Sequence, residues 1–400
     1  MKQIEVAVIG AGLAGSIAAI ALARGGRQVV LIAAAPAKTD RRTTALMDQS
    51  IRFLERLALW EKIAPSATSL DTMQIIDGTK RLLRAPTVAF RASEIGLESF
   101  GYNIPNAALT QVLNDAIKAE GNISTIEASA TDIETKQDGV TITLDNGETV
   151  EASFVVGADG RRSIVRDSAG IKFRNWSYPQ SAMVLNFAHS LPHQNISTEF
   201  HTESGPFTQV PLPGSRSSLV WVQKPTEAAA RAELTLEELS RHVEERMQSM
   251  LGKVTVEDSV QVWPLSGMTA YRFGKGRAAL IGEAAHVFPP IGAQGLNLSL
   301  RDVMGLVDIL CGRASQPVAA DAGDSFDRKR RTDIISRTAS VDLLNRSLLS
   351  DFLPVQMLRA AGLHVLSAIP PLRSIVMREG IEPGGGFRLM PSALREKLRR

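Results

Sequence analysis

"IEVAVIGAGLAGSIAAIALARGGRQVVLI", from Ile4 to Ile32, has the apolar pattern of a strand, a helix and a second strand. Ile4–Ile9 predicts a strand buried in a parallel sheet, Leu13–Arg24 predicts an alanine-rich helix, and Gln28–Ile32 predicts the second strand. A unit of this kind, about 30 residues long, is the usual start of a dinucleotide-binding domain. The chain is therefore predicted to have an α/β, Rossmann-like fold.

Gly10, Gly12 and Gly15 occupy the loop between this strand and this helix. In such a loop the first glycine permits a tight turn, the second lets a pyrophosphate approach the backbone, and the third lets the helix pack on the strand. The start of the helix, at Leu13 and Ala14, adds free N–H groups and the positive end of the helix dipole. We predict a nucleotide-binding loop here, and the alternative is a tight turn without a ligand.

The end of the second strand lacks an expected acid. A carboxylate that binds the ribose hydroxyls usually follows the glycine loop by about 20 residues. In this sequence that position is Ala33. The substitution argues against a plain NAD site and indicates that the ribose is held in another way.

The composition restricts the class of protein. The chain has 400 residues, 44% of them apolar, and a net charge of +3, so it is long enough for two or three folded units and is not a disordered chain. Its basic residues are scattered, which argues against a nucleic-acid groove. Cys311 is the one cysteine, which excludes an intrachain disulfide. Without a secretory leader pattern or an apolar run of roughly 18–20 residues, we expect a cytoplasmic protein that is soluble or peripheral at the inner face of the membrane.

The predicted elements divide the chain into interleaved regions. Strands of the parallel type and helices are expected in the N-terminal part of the chain and again in its C-terminal part. Between these parts, alternating segments such as Ser218–Gln223 predict an antiparallel sheet. We predict a discontinuous nucleotide-binding domain, an inserted sheet domain that binds the substrate, and a helical C-terminal region. The nucleotide-binding domain comprises residues 1–70, 100–175 and 265–340. The sheet domain comprises residues 71–99 and 176–264, and the C-terminal region comprises residues 341–400.

A second motif, "GADGRRSIVR", spans Gly157–Arg166. It places Asp159 between two glycines at the end of a predicted buried strand, a position that favours contact with a ligand. The alternative is that Asp159 caps the helix that begins near Ser163. The arginines of the motif would neutralise phosphates or form a solvated face; they are Arg161, Arg162 and Arg166.

A third motif, "LIGEAAHVFPPIGAQGLN", spans Leu280–Asn297. Its glycines and alanines leave little side-chain bulk, so that a flat ligand can lie against the backbone, and the helix that follows offers free N–H groups to negative charge. Glu283 is placed to accept hydrogen bonds from polyol hydroxyls. His286 is either a base or, as we favour from its alanine neighbours, a packed and hydrogen-bonded residue. We therefore predict no catalytic side chain.

Together, and in this order, the three motifs resemble the single-component FAD-dependent aromatic hydroxylases, the class A flavoprotein monooxygenases. Within them, Arg41–Trp60, Asn103–Leu113 and Met357–Ile381 resemble the UbiH/UbiF group of ubiquinone-biosynthesis hydroxylases, so the likeness covers most of the chain. It implies a GR2-type, discontinuous FAD-binding domain. The FAD-binding residues that it implies are Gly10, Gly12, Leu13, Ala14, Gly15, Arg42, Asn106, Asp159, Gly282, Glu283, Pro290, Gly292, Gln294, Gly295, Leu296 and Asn297.

Two positions depart from the family pattern. Glu283 stands where the family usually has Asp on the ribityl chain, and Ala33 stands where it usually has Glu on the adenosine ribose. Both changes predict that FAD binds less tightly than is usual in the family.

The resemblance implies a reaction as well as a cofactor. NAD(P)H or another donor would reduce FAD, O2 would add to give a C4a-hydroperoxide, and one oxygen atom would pass to an electron-rich ring. The sequence contains no His, Asp and Glu cluster with the spacing of metal ligands, and the reaction requires no metal.

The substrate implied by the resemblance is a polyprenylated phenol or quinol of ubiquinone biosynthesis. The dense apolar residues of Val355–Leu366 and Ile369–Met377 suit contact with a membrane surface or a quinone-synthesis complex, or packing on the chain itself. Three other functions remain open. One is hydroxylation of a soluble aromatic acid, and another is a structural, flavin-binding role in a quinone-synthesis complex. The third is a flavoprotein similar to the geranylgeranyl reductases, which share the first two motifs and fit the third less well.

Overall fold

The computed structural model describes residues 4–35, 40–79, 86–202, 204–290, 294–349 and 369–381. Its strands, numbered along the chain, are β1 Val6–Ile9, β2 Val29–Ile32, β3 Thr43–Met47, β4 Thr68–Ser69, β5 Thr72–Asp77, β6 Val88–Arg91, β7 Gly101–Pro105, β8 Ile123–Ile126, β9 Ala130–Thr135, β10 Val140–Leu144, β11 Thr149–Ala152, β12 Phe154–Gly157, β13 Phe173–His189, β14 Ile196–Thr202, β15 Gly205–Leu212, β16 Arg216–Gln223, β17 Val254–Val256, β18 Gln261–Ala270, β19 Gly274–Lys275, β20 Ala278–Leu280 and β21 His286–Val287. The α-helices are α1 Leu13–Arg24, α2 Asp48–Arg56, α3 Trp60–Ile63, α4 Asn106–Ala119, α5 Ile164–Ser168, α6 Pro225–Ala232, α7 Leu236–Arg246, α8 Gln294–Leu310, α9 Ala322–Leu349 and α10 Pro370–Ile381.

A six-stranded sheet forms the centre of the Rossmann-like part, with the order β19-β20-β12-β1-β2-β8. All its pairs are parallel except β19 with β20. Strands β1, β2 and β12 are buried along their whole length, which is why their sequences are continuous apolar runs rather than alternating ones. The alanines of α1 let this helix lie close to α8 and α4, which share one hydrophobic core with the sheet.

A nine-stranded sheet forms the second layer, with the order β21-β18-β13-β16-β15-β14-β5-β6 and β17 paired to β13. Alternate residues point to opposite faces. Leu219 and Trp221 of β16 lie on the face that α7 covers, through Leu239 and Val243. The opposite face carries Ser218 and is turned toward the Rossmann-like part; we call it the inner face.

The sequence predicted an antiparallel sheet, and one pair of neighbouring strands in the nine-stranded sheet departs from this prediction. Strands β5 and β14 run parallel, with Thr72 opposite Ile196. They come from segments more than a hundred residues apart, so no hairpin turn fixes their relative direction. Strand β5 joins the strands of the predicted inserted domain, in agreement with its assignment there, while the domain boundaries themselves stay a prediction.

The apolar pattern predicted helix α1 residue for residue. Strand β3 was not predicted, because its residues Thr43–Met47 lie in a polar stretch and pair with the distant β7. The apolar segment Val355–Leu366 lies outside the described residues.

The described part of the C-terminal region is helical. Helix α10 packs on the segment Arg91–Phe100, where Met377 is buried beside Ile95 and Phe100. Arg373 Nη2 pairs with Glu94 Oε2 at 2.6 Å, which fixes the helix from one side. No helix among the described residues is long and apolar enough to cross a membrane.

Candidate active site

The three sequence motifs meet at the carboxyl end of the six-stranded sheet. Ile9, at the end of β1, lies beside Gly157 at the end of β12, and Gly157 lies beside Leu280 at the end of β20. The three loops therefore leave the sheet next to one another. In open α/β sheets, ligands bind at this edge, at the point where the strand order reverses.

The loop between β1 and α1 has the geometry of an anion site. Gly10 has a φ of +103°, which residues with a Cβ rarely adopt. A Cβ at Gly15 would lie 1.9 Å from the carbonyl oxygen of Gly10, so this close packing requires glycine. A Cβ at Gly12, the N-cap residue of α1, would meet nothing within 4 Å among the described residues. The first N–H groups of a helix, here those that follow Gly12, have no partner within the helix, so a pyrophosphate can reach them from this side.

The third motif lies directly against the first. Gly282 has a φ of +59°, and a Cβ there would lie 3.4 Å from the Cβ of Ala14 and 3.4 Å from Ser299 Oγ. Small residues at these positions therefore keep β20, α1 and α8 close together. The predicted contacts Ala14 and Gly282 belong to one cleft.

Asp159 combines the two roles that the sequence suggested. Its Oδ2 accepts a hydrogen bond from the backbone N–H of Val165 at 3.2 Å, while Ser163 is the N-cap residue of α5. Its Oδ1 is buried and has no hydrogen-bond partner among the described residues. Burial raises the pKa of this carboxyl group. A buried acceptor without a partner is costly, and a ligand hydroxyl would satisfy it.

Asp40 joins the predicted residues Arg42 and Asn106. One carboxylate oxygen accepts from Arg42 Nε at 2.8 Å, and the other accepts from Asn106 Nδ2 at 2.8 Å. Burial alone would raise the pKa of Asp40, but the hydrogen bonds from Arg42 and Asn106 outweigh it and lower the pKa. Sequence reasoning missed Asp40, because its partner Asn106 is far along the chain. The guanidinium carbon of Arg42 lies 5.7 Å from the ring centroid of Trp263.

Glu283 is exposed and is held by a cation from the second motif. Its Oε2 lies 3.2 Å from Arg161 Nε, and Arg161 Nη1 donates to Ser266 Oγ at 3.0 Å. The hydrogen bond that Arg42 donates to Asp40, with a smaller electrostatic contribution from Glu283, raises the pKa of Arg42. Glu283 thus pairs with Arg161 at the mouth of the cleft. A polyol hydroxyl can reach this carboxylate because half of it remains exposed, 56% by area.

The predicted ring-lining residues surround the start of α8. Pro290 is exposed at the end of the preceding loop, and Gly292 lies outside the described residues. Helix α8 begins at Gln294, and a Cβ at the exposed Gly295 would meet nothing within 4 Å among the described residues. Leu296 is half-buried against the core. The start of this helix therefore offers backbone N–H groups next to open space.

The side chain of Asn297 connects α8 to β3 and α2. Its Oδ1 accepts from Met47 N at 2.9 Å and from Ser50 Oγ at 2.7 Å, and its Nδ2 donates to Ala45 O at 2.8 Å. These bonds occupy the side chain with β3 and α2. A contact between Asn297 and a bound ring would therefore come from its backbone.

His286 is the packed, hydrogen-bonded residue that the sequence favoured. It is buried, and its ring lies parallel to that of Phe288 with a centroid distance of 5.4 Å. Its Nε2 lies 2.7 Å from Asp302 Oδ2, the same oxygen that accepts from Gly282 N at 3.4 Å. The other oxygen of Asp302 accepts from Arg330 Nε at 2.9 Å. Asp302, which lies in α8, therefore holds both ends of the segment Gly282–His286, which carries Glu283.

Arg166 differs from both sequence interpretations, because it is buried and neither solvated nor open to a phosphate. Its guanidinium carbon lies 4.1 Å from the ring centroid of Phe173, and its Nη1 donates to Ala284 O at 3.3 Å. The side chain thus fastens the second motif to the third. Arg161 and Arg162 are exposed.

The inner face of the nine-stranded sheet closes the cleft on its other side. Ser218 Oγ bonds Thr43 Oγ1 at 3.0 Å, and Asn186 Nδ2 donates to Arg41 O at 3.3 Å, so these contacts hold the face toward β3. Next to them on the same face, Val184 and Val220 are half-buried and apolar. An apolar wall of this kind suits an aromatic ring and an alkyl chain.

The described residues fit FAD. The free start of α1 and the space beside Gly12 suit the pyrophosphate, the unpartnered Oδ1 of Asp159 suits a hydroxyl, and the start of α8 suits the ring. Among the described residues, no cluster of His, Cys, Asp and Glu could hold a metal ion. The poorest part of the fit is the end of β2, where Ala33 offers no acceptor to a ribose.

Ala33→Glu is expected to tighten FAD binding. Ala33 follows β2 directly and its N–H is bonded to Ile126 O, so its side-chain direction is fixed by the sheet. A carboxylate there adds a charge-assisted hydrogen bond to a ribose hydroxyl, which predicts a dissociation constant lower by about tenfold. Quenching of flavin fluorescence on titration measures it. Ala33→Gln is the matched control for the charge, and equal affinity in wild type and Ala33→Glu would contradict the assignment of this position.

Comparisons with known proteins agree with this geometry. A model of the family described as FAD binding domain matches residues 3–334. The chain is 32% identical over 392 residues to the ubiquinone hydroxylase UbiL of Rhodospirillum rubrum, covering 95% of this chain and 90% of that protein. It is 28% identical to the 3-demethoxyubiquinol 3-hydroxylase of Escherichia coli, covering 90% and 93%. The crystal structure of p-nitrophenol 4-monooxygenase PnpA from Pseudomonas putida matches with a TM-score of 0.77 and 19% identity over 94% of this chain and 97% of that one, which bears on the fold alone.

Proposed function

The chain belongs to the FAD binding domain family and to its class A flavoprotein monooxygenases, and from this membership we propose that it hydroxylates the aromatic ring of a polyprenylated phenol or quinol in ubiquinone biosynthesis. The chain is an FAD-dependent monooxygenase. The observation that carries the substrate proposal is that the inner face, with Val184 and Val220, is held against β3 beside the cleft where the three cofactor loops meet. The 32% identity to a ubiquinone hydroxylase over 95% of the chain supports the pathway.

We propose that the cofactor is held by the residues that the sequence singled out. Backbone N–H groups that follow Gly12 would bind the pyrophosphate, Asp159 would accept from a hydroxyl, and Glu283 would accept from the ribityl chain. The start of α8, with the preceding Pro290 and Gly292, would face the ring. A helix N-terminus stabilises negative charge, as the reduced ring requires.

When bound, FAD accepts a hydride from NAD(P)H or another donor and delivers one oxygen atom of O2 to the substrate ring. The protein supplies position and a dry site. Val184 and Val220 would give the inner face an apolar surface for the ring, and the buried Asp302 holds Gly282 and His286 in place. A phenol or quinol ring is already electron-rich, so orientation is the main contribution asked of the protein.

A polyprenylated substrate is confined to lipid, so we propose that the enzyme works peripherally at the membrane surface. The support lies at the start of α10: Leu372 and Val376 are exposed on this helix, whose other side is packed on the chain, and Ile369, which directly precedes the helix, is exposed as well. Their spacing of three and four residues places them on one face. Such a face can enter the headgroup region of a bilayer.

The double change Leu372→Asp and Val376→Asp is expected to lower co-sedimentation with anionic vesicles by about tenfold, because two charges replace buried apolar contacts. Activity toward a short-chain substrate in solution should stay unchanged. Leu343→Asp, on the exposed side of α9, is the matched control. Equal co-sedimentation of the double variant and the wild type would refute the membrane role of α10.

Deletion of the gene tests the proposed function in the cell. Lipid extracts are analysed by mass spectrometry in a host without a redundant enzyme. The proposal predicts less ubiquinone and accumulation of a prenylated precursor that lacks one oxygen, whose structure identifies the hydroxylated carbon. An unchanged quinone pool would contradict it and favour a soluble aromatic acid. Full complementation by a variant that cannot bind FAD would favour a structural role in a quinone-synthesis complex instead.

A further inference from the structure

Glu199 and His201 bring two ionisable side chains onto the inner face of the nine-stranded sheet, which also carries Val184 and Val220. Strand pairing places Glu199 opposite Thr208, Thr208 opposite Val220, and Val220 opposite Val184. Directly opposed residues point to the same side of a sheet. Glu199 therefore shares the face that closes the cofactor cleft, and at the spacing of neighbouring strands it lies roughly 10 Å from Val220.

The two side chains form a defined pair. His201 Nε2 lies 2.8 Å from Glu199 Oε1, and Thr208 Oγ1 donates to Glu199 Oε2 at 3.3 Å. The side chains of His201 and Glu199 are 10% and 21% exposed, so the pair is mostly covered but still reachable. An ionised carboxylate has about four acceptor positions, and these two contacts use half of them. Glu199 thus retains acceptor capacity on the inner face.

We propose that the Glu199–His201 pair binds a ring hydroxyl of the substrate and thereby selects phenols and quinols over their O-alkylated forms. In this arrangement the hydroxyl donates its hydrogen to Glu199, while His201 and Thr208 hold the carboxylate in place. An apolar wall discriminates weakly between rings of similar size, whereas a site built to accept a hydroxyl proton rejects an analogue without one. The pair is a specificity determinant and a positioning device. The inference rests on the proposed function, because it assumes an aromatic substrate at the inner face.

The test compares two ligands that differ by one methyl group, a geranyl-substituted phenol and its methyl ether. Their dissociation constants are measured on the FAD-loaded protein from the change in flavin absorbance. The wild type should bind the phenol about tenfold more tightly than the ether. Glu199→Gln should remove most of that preference by weakening phenol binding and leaving ether binding unchanged. The affinity for FAD should not change, since neither residue belongs to the cofactor loops.

Control variants separate this role from a structural one. Glu257→Gln removes a carboxylate that directly follows β17 and pairs with Arg216 at 2.6 Å, and it should keep the full preference for the phenol. His201→Gln provides a second test if Glu199→Gln does not fold, and it too should lower the preference. KM for the phenol should rise in both variants, with kcat changed less.

A preference for the phenol that is the same in wild type, Glu199→Gln and His201→Gln would overturn the role of the pair while leaving the proposed function intact. A wild-type protein that binds neither ligand would overturn both. A loss of phenol and ether binding together in Glu199→Gln would also overturn the inference, because it would show a general effect on the wall rather than recognition of a hydroxyl.

Discussion

Gly12→Glu is expected to abolish FAD binding while the protein stays folded. A Cβ at this position meets nothing within 4 Å among the described residues, so a side chain can be accommodated. Its carboxylate would occupy the start of α1, where it can cap the helix and repel a pyrophosphate. Like charges in such contact cost several kcal/mol, which predicts an affinity for FAD at least a hundredfold lower. Fluorescence titration with FAD measures this loss, and circular dichroism confirms the fold.

Two variants frame that result. Gly12→Ala adds a Cβ without charge and should bind FAD nearly as well as the wild type. Gly15→Ala should destabilise the protein itself, because its Cβ would lie 1.9 Å from Gly10 O. If Gly12→Glu retained the wild-type affinity for FAD, the pyrophosphate would have to bind elsewhere and the assignment of the glycine loop would be wrong.

Asp302→Asn is expected to lower the free energy of unfolding by about 3–5 kcal/mol, the usual cost of removing one partner from a buried ion pair. Asp302 is fully buried, and its oxygens bond both His286 and Arg330. The amide cannot accept on both sides, and among the described residues Arg330 then keeps only its ion pair with Asp333, at 2.7 Å. Because Asp302 also holds Gly282 N, FAD binding should weaken as well. Chemical denaturation with and without FAD measures both effects.

The pH dependence of the free energy of unfolding gives a second test of the role of Asp302. Burial alone would raise the pKa of Asp302, but His286 and Arg330 outweigh it and lower the pKa. A carboxyl group with a lowered pKa in the folded state contributes stability above its unfolded pKa of about 3.9, and this stability is lost as the pH falls through the folded value. Asp302→Asn should therefore lose less stability than the wild type on acidification below about pH 4.

Asp308→Asn is the matched control. Asp308 lies on the same helix and pairs with Lys329 at 2.7 Å, but its side chain is 61% exposed. Exposed ion pairs contribute about 0–1 kcal/mol, so this change should have little effect on the free energy of unfolding. Equal effects of the two substitutions would mean that Asp302 has no special role in the cofactor loop.

The sequence predicted those parts of the site that depend on short-range patterns. A glycine loop between a strand and a helix specifies its own geometry, which is why Gly10, Gly12 and Gly15 could be assigned before their contacts were known. The same holds for the turn around Asp159 and for the buried state of His286. Each of these residues lies at a strand end, and the edge of a parallel sheet brings such ends together.

The remaining parts depend on contacts between distant segments. Asp40 acquires its role from Asn106, and Asp302 acquires its role from His286 and Arg330. No local periodicity marks these acids, since isolated acidic residues on a helix or in a loop usually face solvent. The inner-face position of Glu199 likewise follows from strand register, which alternation alone does not fix across four strands. The FAD-binding residues as a set stay a prediction until a ligand is bound.

One measurement tests the central claim most directly. The purified protein, loaded with FAD, is incubated with NADPH, a geranyl-substituted phenol and isotopically heavy O2, and the product is analysed by mass spectrometry. We expect a product whose ring has one additional hydroxyl group, with the heavy isotope in that group. We expect no such product from Gly12→Glu. Absence of any hydroxylated product from a fully FAD-loaded enzyme, with NADPH consumed, would contradict the assignment of a prenylated phenol as substrate.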